Sequence, residues 1–229
     1  MSDKSPIILA LDQPDVESAR ALIERTQNSI SIFKLGLEFY LAQGSTGIRT
    51  IIDEFPEIDI FLDLKLHDIP NTVAGAASSI SNLAPRFLTV HAAGGGAMVS
   101  AAVKALPQTS ITAVTVLTSL DQSELVKLGF PSDPEQLALS LARRAMDHGA
   151  SSIVCSPHEA SLLRRDLGAK VTIITPGVRP EGSDKGDQSR VMTPHQALSQ
   201  GANYVVIGRP ISQASDPSTA AAEIRNSLL

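Results

Sequence analysis

Eight short runs rich in Val, Ile and Leu recur along the 229 residues, and stretches with helical spacing separate them. The runs fall at 7–11, 31–35, 58–65, 87–91, 111–117, 152–155, 171–174 and 204–207. Each is near-continuously apolar rather than alternating, the pattern of a strand buried on both faces of a parallel sheet. Parallel neighbours need a long crossover between them, which a helix supplies. The punctuation agrees. Asp133-Pro134 offers a cap and a proline at the first helical position, followed by Leu137, Leu141 and Ala145 on one face and Gly149 at the end. Ser156-Pro157-His158-Glu159 has the form of a capping box ahead of Ala160, Leu163 and Leu167, with Gly168 after them. Val73, Ala77, Ile80 and Leu83-Ala84 repeat the spacing, and Asp216-Pro217 opens a last helix with Ala220, Ala221, Ile224 and Leu228 inward. Eight such alternations without a linker or low-complexity break predict one α/β domain over 1–229, a closed (β/α)8 TIM barrel. An open doubly wound sheet is the alternative. Against it, LALDQPD follows the first run where a dinucleotide fingerprint would need glycines.

In a barrel of this kind the chemistry sits at the C-terminal ends of the strands. Polar residues gather there: Asp12, Lys34, Asp63 with Lys65, His91, Thr118, and Gly208-Arg209. The strand starts are expected to carry little of this kind. The third run is the most unusual, reading FLDLKLHDIPNT over 61–72. Asp63 and Lys65 are two apart and so face one side of a strand, while Leu62, Leu64 and Leu66 face the other. Asp68 follows within reach of the same space, and Ile69-Pro70 closes the strand before a helix that begins at Thr72. Fixed charges on a buried strand cost several kcal/mol, roughly, unless they are paired. A satisfied ion pair at a strand end would explain them; an acid, base and acid array at the mouth of a site is the preferred reading.

Two stretches suit a phosphate. VVIGRPI ends the eighth run with Gly208, which lets a ligand approach the backbone, and Arg209, whose fork fits phosphate oxygens. The second is the long segment 175–194, with Arg179 and Gln188 as candidate donors and the length of a lid. A solvated surface excursion is the plainer account of it. Gly94-Gly95-Gly96 either cradles an anion or starts a helix tightly. His91 reads as a hydrogen-bonded barrel residue and His67 as a supporting or interface residue. A divalent metal on Asp63, Asp68 and a histidine is disfavoured, because Lys65 between the carboxylates competes with it. Nothing resembles a Ser-His-Asp nucleophile.

Other classes recede on composition. A net charge of −5 and the absence of a basic stripe argue against a nucleic-acid partner, and 3% aromatics with no Trp disfavour stacking on single strands. No run reaches the length of a membrane span, and MSDKSPIILALD lacks the basic and apolar regions of a secretory signal. Cys155 is the lone cysteine, at the end of an apolar run, where a buried thiol is expected rather than a nucleophile. These features fit a reducing cytoplasm.

DLKLHDIPNT at 63–72 closely resembles a motif of the orotidine 5′-phosphate decarboxylases, as do Asp12 in LALD, Lys34 in FKLG, LTS at 117–119, TPGVRP at 175–180 and IGRPI at 207–211. The resemblance runs from Ile7 to the last helix. It implies loss of CO2 from C6 of orotidine monophosphate to give UMP in pyrimidine biosynthesis, with no metal and no organic cofactor. By resemblance, Lys65 is the proton donor to C6, Asp63 and Asp68 flank it, and Lys34 completes an alternating charge array. Asp12 and Lys34 correspond to ribose-binding positions. Thr118 corresponds to the residue on the pyrimidine, a contact Ser119 could share. Arg179, Gln188, Gly208 and Arg209 correspond to the phosphate-binding set, and Ile69 and Pro176 count among the substrate-binding positions. The resemblance also implies a homodimer in which Asp68 and Thr72 reach the other subunit's ligand. The nearest rival is a metal-dependent sugar-phosphate decarboxylase or hexulose-phosphate synthase sharing Asp-x-Lys-x-x-Asp. A rival of another class is a non-catalytic phosphometabolite-binding protein.

Overall fold

The computed structural model describes residues 5–130, 133–179 and 192–228. Its strands are β1 (Ile7–Ala10), β2 (Ile32–Gly36), β3 (Asp59–Leu66), β4 (Phe87–His91), β5 (Ser110–Val114), β6 (Ser152–Val154), β7 (Thr172–Thr175) and β8 (Tyr204–Ile207). All neighbours are parallel, and β8 pairs with β1 to close a barrel in sequence order. The predicted TIM barrel is therefore the observed fold. β5 stops at Val114, three residues short of expectation, although the Thr115 N–H still donates to the Val154 carbonyl at 3.1 Å.

The crossovers are α1 (Val16–Thr26), α2 (Leu37–Glu54), α3 (Pro70–Ser79), α4 (Gly96–Ala105), α5 (Gln122–Lys127), α6 (Pro134–Asp147), α7 (Ala160–Leu167), α8 (Pro194–Ser199), α9 (Arg209–Ser212) and α10 (Pro217–Asn226). Asp133 caps α6 as its sequence suggests, accepting from the Gln136 N–H at 2.9 Å. At 156–159 only half of the expected capping box forms. Glu159 accepts from the Ser156 N–H at 3.0 Å, but the Ser156 hydroxyl turns to His158, and α7 starts at Ala160. α3 begins at Pro70, two residues before the expected start, because proline's fixed φ suits a first helical position. Among the described residues no helix is long and apolar enough to cross a membrane.

The pleat divides the core. Leu9, Phe33, Leu62 and Leu88 face the helices, while Ile8, Ile32, Phe61, Phe87, Ile174 and Val206 fill the barrel. Beneath that filling lies a polar floor that the sequence reading did not expect. Arg86, just ahead of β4, donates to Asp59 Oδ2 at 2.5 Å and to the Tyr204 hydroxyl at 2.8 Å. Its guanidinium lies over the Phe87 and Tyr204 rings, 5.2 and 5.6 Å from their centroids. The Ser152 hydroxyl bonds to Thr112 at 2.6 Å and Ser110 at 2.9 Å. Strand starts are thus not poor in polar groups; there Arg86, Asp59 and Tyr204, and the Ser110, Thr112 and Ser152 hydroxyls, bond to one another.

Candidate active site

Within the barrel, side chains two apart share a face, so the filling residues locate the site. Ile32 points inward, and so do Lys34 and Gly36 above it. Phe61 carries Asp63 and Lys65 above it, and Phe87 carries Thr89 and His91. The expected shared face of Asp63 and Lys65 is therefore the inner one, with Leu62 and Leu64 in the outer core.

Simple alternation does not describe what happens at the top of β3. Phe61 pairs with Phe87 and Leu62 with Leu88, but the next pair is Leu66 with Val90. Residues 63–65 thus stand opposite the single residue Thr89, a bulge of two extra residues. Lys65 takes φ +48°, a left-handed conformation that costs a non-glycine residue about 1–2 kcal/mol. The bulge removes the Lys65 N–H from the ladder, and the Thr89 hydroxyl accepts it at 2.8 Å. The same hydroxyl donates to Asp63 Oδ1 at 3.0 Å.

Asp63 Oδ1 also accepts from Lys65 Nζ at 2.8 Å, and Asp63 Oδ2 lies 3.5 Å from Lys34 Nζ. Lys34 Nζ is in turn 3.5 Å from Asp12 Oδ1. Asp12, Lys34, Asp63 and Lys65 form an alternating chain of charges. Its middle is sheltered, with the side chains of Lys34 and Asp63 each 13% exposed. Burial alone would push the Asp63 pKa up. Lys34, Lys65 and the hydrogen bonds from Lys65 and Thr89 together outweigh it and hold the carboxyl below its ordinary range. Asp63 is a carboxylate at neutral pH.

These charges are the wall between two cavities. One, of about 170 Å³, is mostly apolar, with Phe61, Val114, Val154, Val206 and Pro176 around it and Thr118 at its edge. Ser119 does not line it. The other, of about 210 Å³, is mixed, with Asp12, Gln13 and Glu38 around it beside Leu11, Leu37 and Phe39. Lys34, Asp63 and Lys65 border both. A flat ring with apolar faces fits the first and a polyhydroxyl group the second. A larger hollow of about 550 Å³ beside Thr193, His195 and Glu223 is not bordered by any of the four charges.

Gly208 links β8 to α9, and a Cβ there would stand at ordinary contact distance, 3.5 Å from the Ala10 Cβ and 3.7 Å from Asp12 Oδ2, which places this rim beside Asp12. Arg209 is exposed beside it. Arg179 is buried; its N–H donates to the Met192 carbonyl at 3.0 Å and its Nη1 to the Val178 carbonyl at 3.1 Å. Val178 and Met192 bridge, which draws the two ends of the long segment together. Gln188 lies outside the described residues. Asp68 is exposed, its Oδ1 accepting the Ile69 N–H at 2.6 Å, and among the described residues it forms no ion pair. Ile69 and Thr72 are exposed with it. One chain therefore brings Asp12, Lys34, Asp63, Lys65, Thr118 and Pro176 together and leaves Asp68, Ile69 and Thr72 facing outward.

The ring of His91 lies 5.2 Å from that of His67. Burial, then His67 and Lys65, lower its pKa against the opposing pull of Asp63, so it is a neutral imidazole at pH 7. The glycine run at 94–96 serves packing and a turn. A Cβ on Gly94 would collide with Met98, one on Gly96 with the His148 ring, and Gly95 adopts φ +86°. Cys155 is fully buried, and burial together with Glu159 raises its pKa well above the ordinary value, leaving an inert thiol. No group of three His, Cys, Asp or Glu residues able to hold a metal ion occurs among the described residues.

Sequence reading passed over Thr89. Its signal is its place in FLTVH, two residues from inward Phe87 and two from His91. A lone hydroxyl in an apolar run reads as a good strand former, and the bulge that gives it work is not visible in the pattern.

A family model described as orotidine 5′-phosphate decarboxylase / HUMPS family matches residues 5–224. The orotidine 5′-phosphate decarboxylase of Thermobifida fusca (strain YX) is 51% identical over 224 residues, covering 98% of this chain and 96% of that protein. That of Anaeromyxobacter sp. (strain K) is 44% identical, with each chain fully covered. The crystal structure of orotidine 5′-phosphate decarboxylase from Lactobacillus acidophilus superposes with a TM-score of 0.86 at 32% identity, over 98% of this chain and 99% of that one. Match, identity and barrel agree over almost the whole length, and the chain belongs to the orotidine 5′-phosphate decarboxylase / HUMPS family.

Proposed function

We propose that this protein decarboxylates orotidine 5′-monophosphate to UMP without a cofactor, using Lys65 as the acid. The observation that carries the reading is the Lys65 ammonium, held 2.8 Å from Asp63 where an apolar slot meets a hollow that also holds Asp12, Gln13 and Glu38. The pyrimidine occupies the slot with Thr118 at its edge, and the ribose occupies the hollow beside Asp12 and Lys34. The phosphate lies toward Gly208 and Arg209, with Arg179 and Gln188 in its set by family resemblance.

In this pose the bond from C6 to the carboxylate carbon breaks, CO2 leaves, and the electron pair stays in an sp² orbital at C6. The ring delocalises that pair poorly, so the protein stabilises it electrostatically. The Lys65 ammonium does this, then transfers a proton to C6 and recovers one from solvent. Asp63 fixes the amine and disfavours a second carboxylate beside it. Two unit charges about 4 Å apart interact by roughly 4 kcal/mol at an effective dielectric near 20. Enzymes lower barriers by about 8–23 kcal/mol, so the remainder comes from the other end of the nucleotide. Binding energy at the phosphate aligns and desolvates the reacting carbon.

A metal-dependent sugar-phosphate reaction requires open carboxylates. Both oxygens of Asp63 face lysines, which supports the cofactor-free reading. The test is a spectrophotometric assay of orotidine monophosphate loss with EDTA present. Full turnover is expected; activity that disappears with chelator and returns with a divalent ion would overturn the reading.

The active form is a homodimer in the cytoplasm, where the lone thiol stays reduced. Leu37, Leu41 and Ile69, 51%, 76% and 66% exposed, are the apolar residues a second copy would cover, and outward Asp68 and Thr72 would then enter the partner's site. Mixing inactive Lys65→Ala and Asp68→Ala subunits is expected to restore about a quarter of wild-type activity, because half the dimers are mixed and each has one intact site. No recovery, in subunits shown to exchange, would contradict shared sites.

A further inference from the structure

We propose that Thr89 is a positioning residue for the reaction, holding the Lys65 ammonium through both ends of that residue. The inference rests on the reading of Lys65 as the acid. Thr89 is fully buried and lines neither cavity, so it has no access to substrate. Yet it is the single β4 residue opposite the three-residue bulge that carries Asp63 and Lys65.

Its hydroxyl closes a ring. The Lys65 N–H donates to Thr89 Oγ1 at 2.8 Å, Thr89 Oγ1 donates to Asp63 Oδ1 at 3.0 Å, and Lys65 Nζ donates to the same Oδ1 at 2.8 Å. One hydroxyl, accepting once and donating once, thereby fixes the left-handed backbone of Lys65 and the carboxylate that aims its amine. Asp63 Oδ2 faces Lys34 at a looser 3.5 Å, so the Oδ1 side is the one that sets the carboxylate's rotation. Without the hydroxyl the Lys65 N–H has no ladder partner, and the amine can settle away from C6 while the cavities keep their shape. A misplacement of about 1 Å at a reacting group costs on the order of 100-fold in rate.

The experiment compares Thr89→Val, which keeps the shape, with Thr89→Ser, which keeps both hydrogen bonds. Folding is first verified by circular dichroism and melting. For Thr89→Val the expected result is kcat lowered about 100-fold with KM and UMP affinity within about threefold of wild type. Thr89→Ser is expected to recover kcat to within a few-fold. A Val variant that melts earlier but turns over at the wild-type rate, or a Ser variant as slow as Val, overturns the proposal. Should Thr89→Val not fold, Thr89→Ala takes its place. If neither folds while Ser does, the hydroxyl serves stability and the proposal fails. Lys65→Ala is assayed in parallel to separate the two claims. If it retains turnover, the acid has been misassigned; if it is inactive while Thr89→Val is normal, only the role of Thr89 falls.

Discussion

Lys65→Ala is expected to abolish decarboxylation while leaving UMP binding nearly intact. The substitution removes two things at once. The first is the cation facing the developing charge, roughly 4 kcal/mol at an effective dielectric near 20, or about a thousandfold in rate. The second is proton delivery by a placed acid, typically about 10²–10⁴-fold. Together they predict a fall in kcat of at least about 10⁵-fold. Ground-state affinity is retained because ring and ribose contacts come from the apolar slot, Asp12 and Lys34. Lys65→Arg separates the two effects, since a guanidinium keeps the charge but does not release its proton. Single-turnover assays with titrated UMP binding give both readouts. Turnover within about tenfold of wild type in Lys65→Ala would remove Lys65 from the centre of the reaction.

Arg209→Ala should produce a large loss that is conditional on the substrate. A hydrogen bond to a charged group contributes about 1.5–3 kcal/mol, so kcat/KM for orotidine monophosphate is expected to drop on the order of 100-fold. Orotidine, which lacks the phosphate, should be processed slowly by both proteins and at rates within about threefold of each other, because the group Arg209 addresses is missing. Comparable losses on the two substrates would mean that Arg209 supports the fold of the rim rather than the phosphate.

The barrel was legible in the sequence because its strands are buried on both faces and read as near-continuously apolar runs. Ile7 to Ala10, Phe87 to His91 and Tyr204 to Ile207 lie where their residues predict. Asp63 and Lys65 were legible because charges in such a run have nowhere neutral to go. Register was not legible. Alternation gives the same face for 63 and 65 with or without a bulge, so neither the left-handed Lys65 nor the task of Thr89 follows from the pattern. The floor was missed because Arg86 precedes its strand and reads as a loop residue, although it reaches back to Asp59 and across to Tyr204. Asp68 shows the limit of the pattern: its neighbours in sequence place it at the mouth, but the structure leaves it exposed and facing outward.

That floor has a consequence for traffic. Arg86, Asp59 and Tyr204 cork the barrel from below, and Phe61 and Phe87 meet edge to face above the cork, so the well opens at the rim. The gas released at C6 must depart by the route the nucleotide used to enter. Reshaping the rim should therefore alter how fast both products escape, while repacking the cork should alter only how well the vessel holds together.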